Sequence, residues 1–429
     1  MRPEALLLIG SFIALVALRV PISFALGISS LITLLVIGVD PVVTAQLIFA
    51  GMDKDSLLAI PFFVLAGAIM SQGGMARKMV DLASLAVGWM PGGLAVVNIL
   101  SSMFFGAISG SAVAATSAVG STLIPSMVEK GADRGYATSV TITGATQGLL
   151  IPPSHNAIIY SLAAGGVASI EALFIAGIVP GVLVGLSLMA VAVGIAVKRG
   201  YPRDSDLPLK TAIAEFIGAA VAVAGALFAL NKGLINLPLF CIVVLAVSGI
   251  LVFRIYKRRG GAGVKKVFTV IRDAILPIIS PIIIVGGIMF GWFTAIESSV
   301  IAVVWAIIVN FVIFAWLFKD TSIREYPGVA VRAMKVIVMV MWLIGNATAF
   351  GYCLTRLHVP EAATGALLAI TDNPYVLLLL INLMLLAFGT IMDMAPLIII
   401  TTPILLPVAM KIGVDPVHFG IIMIANLGL

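Results

Sequence analysis

Charged residues are what this chain has least of. Only 10% of its 429 residues are Asp, Glu, Lys or Arg, against about 25% in a soluble domain, so water cannot be its main surroundings. Cysteine is nearly absent: Cys241 and Cys353 stand alone in separate apolar runs, and two isolated cysteines build neither a disulfide framework nor a zinc site. A Gly-rich phosphate loop of the GxxxxGKS type is missing, which excludes ATP hydrolysis by this chain. The net charge of +6 comes from short basic loops between apolar runs, and that distribution excludes a nucleic-acid partner. What is present is 61% hydrophobic, with a mean hydropathy of +1.21. At about 20 residues per crossing, the length allows on the order of ten or more spans of a lipid bilayer. The N-terminal run MRPEALLLIGSFIALVALRVP lacks a small-residue cleavage site and reads as a retained first helix.

The few charges are grouped. Basic residues gather at 198–210, 254–272 and 319–335, with two apolar segments between neighbouring clusters. All three then face one side, which the positive-inside rule makes cytoplasmic. The expected organisation is 1–56 as N-terminal scaffold helices and 57–200 as a first repeat. Residues 201–330 follow as middle scaffold helices with basic loops, and 331–429 as a second repeat.

The stretch around which the rest is arranged runs from Leu94 to Tyr160. Two short apolar arms, Leu94–Ile108 and Ala112–Val128, flank Ser109-Gly110-Ser111 within a hairpin at 94–128. Each arm falls short of a full crossing, so the pair reads as a helical hairpin that enters the membrane and turns back. The next apolar run, 136–164, is interrupted at Ile151-Pro152-Pro153-Ser154-His155-Asn156. Adjacent prolines remove two backbone donors and free carbonyls at membrane depth, which is tolerated only inside protein or beside water. A hairpin tip facing a broken helix is how secondary transporters assemble an ion and substrate site. The pattern recurs at 375–410: arm Leu377–Ile391, tip Met392-Asp393-Met394, arm Ala395–Met410. An offset of 282 positions aligns Pro125 with Pro407, Gly131 with Gly413 and Tyr136 with His418. The counterpart of Pro152-Pro153 would fall at 434 and 435, so the chain is expected to stop just before its second break. The expected fold class is an all-α, multi-span integral membrane protein with two inverted repeats, each holding a re-entrant hairpin and a broken helix.

Several long motifs resemble the large membrane subunit of the tripartite ATP-independent periplasmic (TRAP) transporters. They are SGSAVAATSAVGSTLIP (109–125), GLLIPPSHN (148–156), GWFTAIESSVIAVVWA (291–306), MDMAPLIIITTPILLP (392–407) and GVDPVHFGIIMIANL (413–427). They occur in the family's order and cover nearly the whole chain. The resemblance implies a bacterial inner-membrane importer of small carboxylates, such as C4-dicarboxylates or sialic acids, driven by a sodium gradient. It also implies a periplasmic substrate-binding protein and a small four-helix membrane subunit as partners, and an elevator-type fold with a scaffold and a transport domain. Two features depart from the family's pattern. Phe293-Thr294-Ala295-Ile296-Glu297-Ser298 keeps the glutamate of an FTPTEA element but loses its proline, and 205–270 is longer than usual, as if holding extra scaffold helices.

Sodium needs converging oxygen ligands. A first site is expected between Ser109, Gly110 and Ser111 and the break at Gly148, Leu149, Ile151 and Pro152; otherwise these small residues simply allow close helix approach. Asp393, at the head of the arm beginning with Ala395, either ligates a second sodium, since an intramembrane carboxylate is a functional candidate by default, or caps that arm. For the carboxylate, the positive ends of the helices starting at Ala112 and after Asn156 are available. Ser111, Gln147, Ser154, Asn156 and His155 add side chains, although His155 has the alternative of being a satisfied loop residue. Other readings stay open: proton coupling, a passive channel without the ring of like charges a filter uses, and an intramembrane serine hydrolase pairing Ser109 or Ser111 with His155. The last lacks the GxSG spacing, since the sequence there is Gly106-Ala107-Ile108-Ser109-Gly110.

Overall fold

A computed structural model describes residues 3–72, 75–88, 90, 92–109, 112–201, 269–276, 278–317, 326–371, 373–390 and 392–428, with the isolated residues 218 and 225. The proposed extra helices at 205–270 therefore fall almost wholly outside the described residues. Every regular element described is helical. Among the described residues four helices are long and apolar enough to cross a membrane: Ile170–Lys198, Ala295–Ile313, Pro327–Arg356 and Met394–Lys411. A fifth crossing results if the bent pair α11 (Thr269–Leu276) and α12 (Ile278–Met289) is one span. Most of the other apolar helices are shorter, at 10–17 residues, while Met394–Lys411 is a hairpin arm of full crossing length.

One body is built from α1 (Pro3–Ala17), α2 (Ile22–Val36), α3 (Pro41–Met52), α4 (Ala59–Gln72), α13 (Ala295–Ile307) and α14 (Tyr326–Arg356). The 31-residue α14 lies against α2, α3 and α4, and α13 lies against α4. Lipid offers no hydrophobic drive for helices to associate, so backbones approach at small residues. A Cβ on Gly27 would overlap the Asn346 side chain, one on Gly51 would overlap Thr348, and one on Gly345 would fall 2.9 Å from the Ile48 carbonyl oxygen. The short α3 lies where the sequence shows no membrane-length run. Asp40 starts it by accepting from the Val42 N–H, with Pro41 at the first helical position, where its missing N–H costs nothing.

The second body holds the two hairpins. α5 (Met75–Val87) leads from α4 into α6 (Gly93–Ser109), which pairs with α7 (Ala112–Glu129). The broken helix follows as α8 (Arg134–Gln147), a tight 3-10 turn at Gly148–Leu150, and α9 (His155–Ala163); α10 (Ile170–Lys198) closes this half. In the second half α15 (Val359–Leu368) precedes the hairpin of α16 (Pro374–Gly389) and α17 (Met394–Lys411), and α18 (Pro416–Gly428) follows.

The 282-residue offset has a structural counterpart. Pro125 and Pro407 both lie inside the second arms. Gly131 and Gly413 both take positive φ, 87° and 83°, a conformation that glycine reaches without a Cβ penalty and that ends a helix. Two residues on, Asp133 accepts from the Tyr136 N–H and Asp415 from the Val417 N–H, starting α8 and α18. An amide also ties each first arm to the helix after its hairpin: the buried Asn98 Nδ2 donates to Thr141 Oγ1 at 2.8 Å, and the half-buried Asn426 Nδ2 donates to Asn382 Oδ1.

Candidate functional site

Glycine brings the first hairpin and the break together. A Cβ on Gly106 would lie 2.6 Å from the Gly148 Cα, and one on Gly148 would lie 2.7 Å from the Gly106 Cα. One turn earlier, a Cβ on Gly144 would sit 3.2 Å from the Ile99 Cα. Backbone therefore touches backbone where α6 crosses the end of α8. Ser109, the last residue of α6, is three residues past Gly106, about 4.5 Å of helical rise, which sets the end of α6 near the break. Gly110 and Ser111 lie outside the described residues.

The break is set by its prolines. A continuing helix would bond the Gly148 and Leu149 carbonyls to the N–H groups of residues 152 and 153, which are both proline. Gly148 instead accepts from the Ile151 N–H at 3.3 Å, so its carbonyl is not left free as the sequence suggests. Ile151 is extended, the Pro152-Pro153 bond is cis, and Ser154 is extended at the head of α9. α10 forms the bed beneath. Its glycines 177, 181 and 185 recur every fourth residue and meet the Leu150 carbonyl, Ile151 and Met103. This GxxxGxxxG stripe, like Gly144-x-x-x-Gly148, is the signal that could have located the contact surface from sequence.

Two side chains bracket the break with oxygens that lack protein partners. Gln147 is buried and donates Nε2–H to the Gly181 carbonyl at 2.6 Å, but its Oε1 has no donor. Ser154 is 3% exposed, its hydroxyl makes no capping bond to α9, and its Oγ has no partner. Leaving a buried oxygen unsatisfied costs about 1–3 kcal/mol, so a ligand or water that reaches either one is favoured. His155 is half-buried and Asn156 is buried beside them.

The second half supplies the other wall. α17 packs on α9, and α18 packs on α9, α10 and the 3-10 turn. Asp393 occupies the cap position of α17 yet makes no side-chain capping bond; it is exposed and within electrostatic range of His155. Ala395 is buried behind it. A Cβ on Gly428, at the end of α18, would approach Met394 Cε at 3.0 Å and the Thr146 carbonyl at 3.7 Å. The structure thus brings Gly148, Ile151, Pro152, Ser154 and His155 to one place, with Ser109 and Asp393 arriving from the two hairpins. Glu297 lies elsewhere: with Thr294 it forms a reciprocal capping box at the start of α13. Among the described residues no group of three or more His, Cys, Asp or Glu side chains could hold a metal ion.

Comparison with known proteins gives the arrangement its context. The isethionate TRAP transporter permease DctMQ of Oleidesulfovibrio alaskensis is 34% identical over 98% of this chain, which spans 57% of that protein's length. The C4-dicarboxylate TRAP large permease DctM of Pseudomonas aeruginosa is 32% identical over 94% of this chain and 80% of its own. The sialic acid TRAP large permease SiaM of Vibrio cholerae is 31% identical over 89% of this chain and 75% of its own. The model of the family described as "Tripartite ATP-independent periplasmic transporter, DctM component" matches residues 9–429. The hairpins and the broken helix therefore belong to a multi-pass membrane transport component rather than an enzyme, and the chain is a member of the DctM family of TRAP large permease subunits.

Proposed function

We propose that this chain is the permease subunit of a sodium-coupled importer of small organic anions, carboxylates above all, in a bacterial inner membrane. The observation that carries the reading is the pair of buried, unpartnered oxygens, Gln147 Oε1 and Ser154 Oγ, at the two ends of the Pro152-Pro153 break. Sodium binds among oxygens from the first hairpin tip and the break. A second sodium binds at Asp393. The carboxylate accepts from the free N–H groups at the head of α9 and from Ser154 and Asn156, where the helix dipole favours negative charge. The body carrying both hairpins moves against the body built on α14, in the manner of an elevator. A periplasmic binding protein delivers the substrate, and a small membrane subunit completes the permease. Relatives named for isethionate, C4-dicarboxylates and sialic acid share an anionic headgroup, which is what such a site recognises.

The test is uptake of labelled succinate, sialic acid or isethionate into proteoliposomes holding the permease, its small subunit and its binding protein. Uptake under an inward sodium gradient, absent under an equal potassium gradient, supports the reading. Equal uptake under both removes sodium from the mechanism. The alternative is proton coupling. Uptake driven by an inward proton gradient without sodium would establish it.

A further inference from the structure

Between the two bodies lies a cavity of about 180 Å³ that the site described above does not include. Ile159 and Leu162 of α9 and Ile399 of α17 form one wall, Thr348 and Gly351 of α14 form the other, and Lys54 from the α3–α4 loop stands at the rim. Lys54 is exposed, and it is the one ionisable group among the residues lining the cavity. Its acidic neighbours do not share the space. Asp53 lines a separate depression along α3, and Asp55 begins the following turn. The backbone leading to Lys54 is held against α14: three residues earlier, Gly51 lies so close to Thr348 that a Cβ would overlap it. Thr348 itself lines the cavity.

The side of the membrane follows from charge. α10 ends at Lys198 and α14 starts at Tyr326, each beside a basic cluster, so those ends are cytoplasmic. The residues after α9 lead into the opposite end of α10, and Gly351 lies toward the opposite end of α14. The cavity therefore sits in the outer half, alongside α9, between outer water and Ser154 at the other end of that helix. A single cation over an apolar-walled funnel raises the local concentration of anions without holding them tightly.

We propose that this cavity is the outer vestibule of the permease: a transient carboxylate station in which the Lys54 ammonium draws the anion in and aligns it for passage along α9 to Ser154. The proposal rests on the anion-import reading above. Its two walls belong to the two bodies, so the station exists only while α9 and α17 stand opposite α14.

The experiment uses the full permease with its partner subunits, with Cys241→Ser and Cys353→Ala as background and Gly351→Cys as reporter; a Cβ at Gly351 meets nothing within 4 Å. The rate of labelling by a sulfonate-bearing methanethiosulfonate is compared with that of a trimethylammonium-bearing one. The anionic reagent should be preferred, and Lys54→Gln should lower the preference about five-fold while Lys54→Arg preserves it. In uptake assays Lys54→Gln should raise KM about five-fold with kcat held, and Lys54→Arg should restore KM. Identical preference and identical KM in Lys54→Gln overturn the proposal. So does protection of the reporter by phosphatidylglycerol in the vesicles but not by the carboxylate, since the occupant is then a lipid. If the reagent preference depends on Lys54 but the intact system takes up no anion, the vestibule stands and the transport reading fails. Normal sodium-driven uptake that ignores Lys54 leaves the transport reading standing and removes the vestibule.

Discussion

A Cβ on Gly148 would fall 2.7 Å from the Cα of Gly106 and 2.9 Å from the carbonyl oxygen of Ser102, and no rotamer change relieves a clash with backbone. Gly148→Ala must therefore push α6 off the break. We expect it to destabilise the protein by about 1–3 kcal/mol, read as a lower unfolding temperature in detergent, and to reduce uptake as well. Asp393 makes the opposite case. Its carboxylate caps nothing and is exposed, so Asp393→Ala should change stability by no more than about 0.5 kcal/mol. In uptake assays the same variant should need more sodium for half-maximal transport. An unchanged sodium dependence would remove Asp393 from the site. At this scale the sequence was readable where a residue's chemistry is self-contained. Two adjacent prolines remove neighbouring ladder donors and interrupt a helix, whereas Pro403 and Pro407, four apart, stay inside α17; an Asp within an apolar run is conspicuous by itself. Pairings were not readable: nothing near Gln147 announces that its amide donates to Gly181, because that partner is set by how α10 lies under α8.

Among the elements, the hairpins were legible because their arms, as read from the sequence, fall short of a crossing and their tips are small or polar. The same arithmetic left α3 unseen, since its 12 residues are too few to suggest a span. It gave α17 too short as well. That helix extends to 18 residues, and 61% of its most apolar window is buried inside the protein, so it faces neighbours more than lipid. The start of α13 shows a local signal whose role could have been assigned earlier. Thr294-Ala295-Ile296-Glu297 has capping-box spacing, and the two side chains do satisfy each other's backbone N–H groups. Thr294→Ala should cost about 1 kcal/mol of stability and leave the KM for substrate and sodium unchanged. A shifted sodium dependence would instead tie Glu297 to transport.

Across the whole molecule the two halves interlock. Tyr160 of α9 donates its hydroxyl to the Pro416 carbonyl at 2.7 Å, and its ring fills the space over Gly420 of α18. Tyr160→Phe strands that carbonyl, so thermal unfolding should shift by the equivalent of about 1 kcal/mol, with the sodium dependence of uptake unchanged. Lys78 reaches Asp273 at 3.1 Å and ties α5 to α11 across 195 residues, while Arg272 meets the same carboxylate from within α11 at 2.8 Å. The internal repeat foretold that two similar halves exist. It did not foretell that α17 would complete the first half's broken helix, because complementarity between faces leaves no trace in a periodic pattern.

That interlock has a consequence for how the protein is made. About 230 residues separate the end of α9 from the start of α17, which at ribosomal speeds of 5–20 residues per second is roughly 10 to 50 seconds of synthesis. Throughout that interval Tyr160, fully enclosed in the finished protein, has neither α17 nor α18 to cover it. Lipid or the insertion machinery must shield that face meanwhile, and a ribosome stalled before Met394 would leave it uncovered for good.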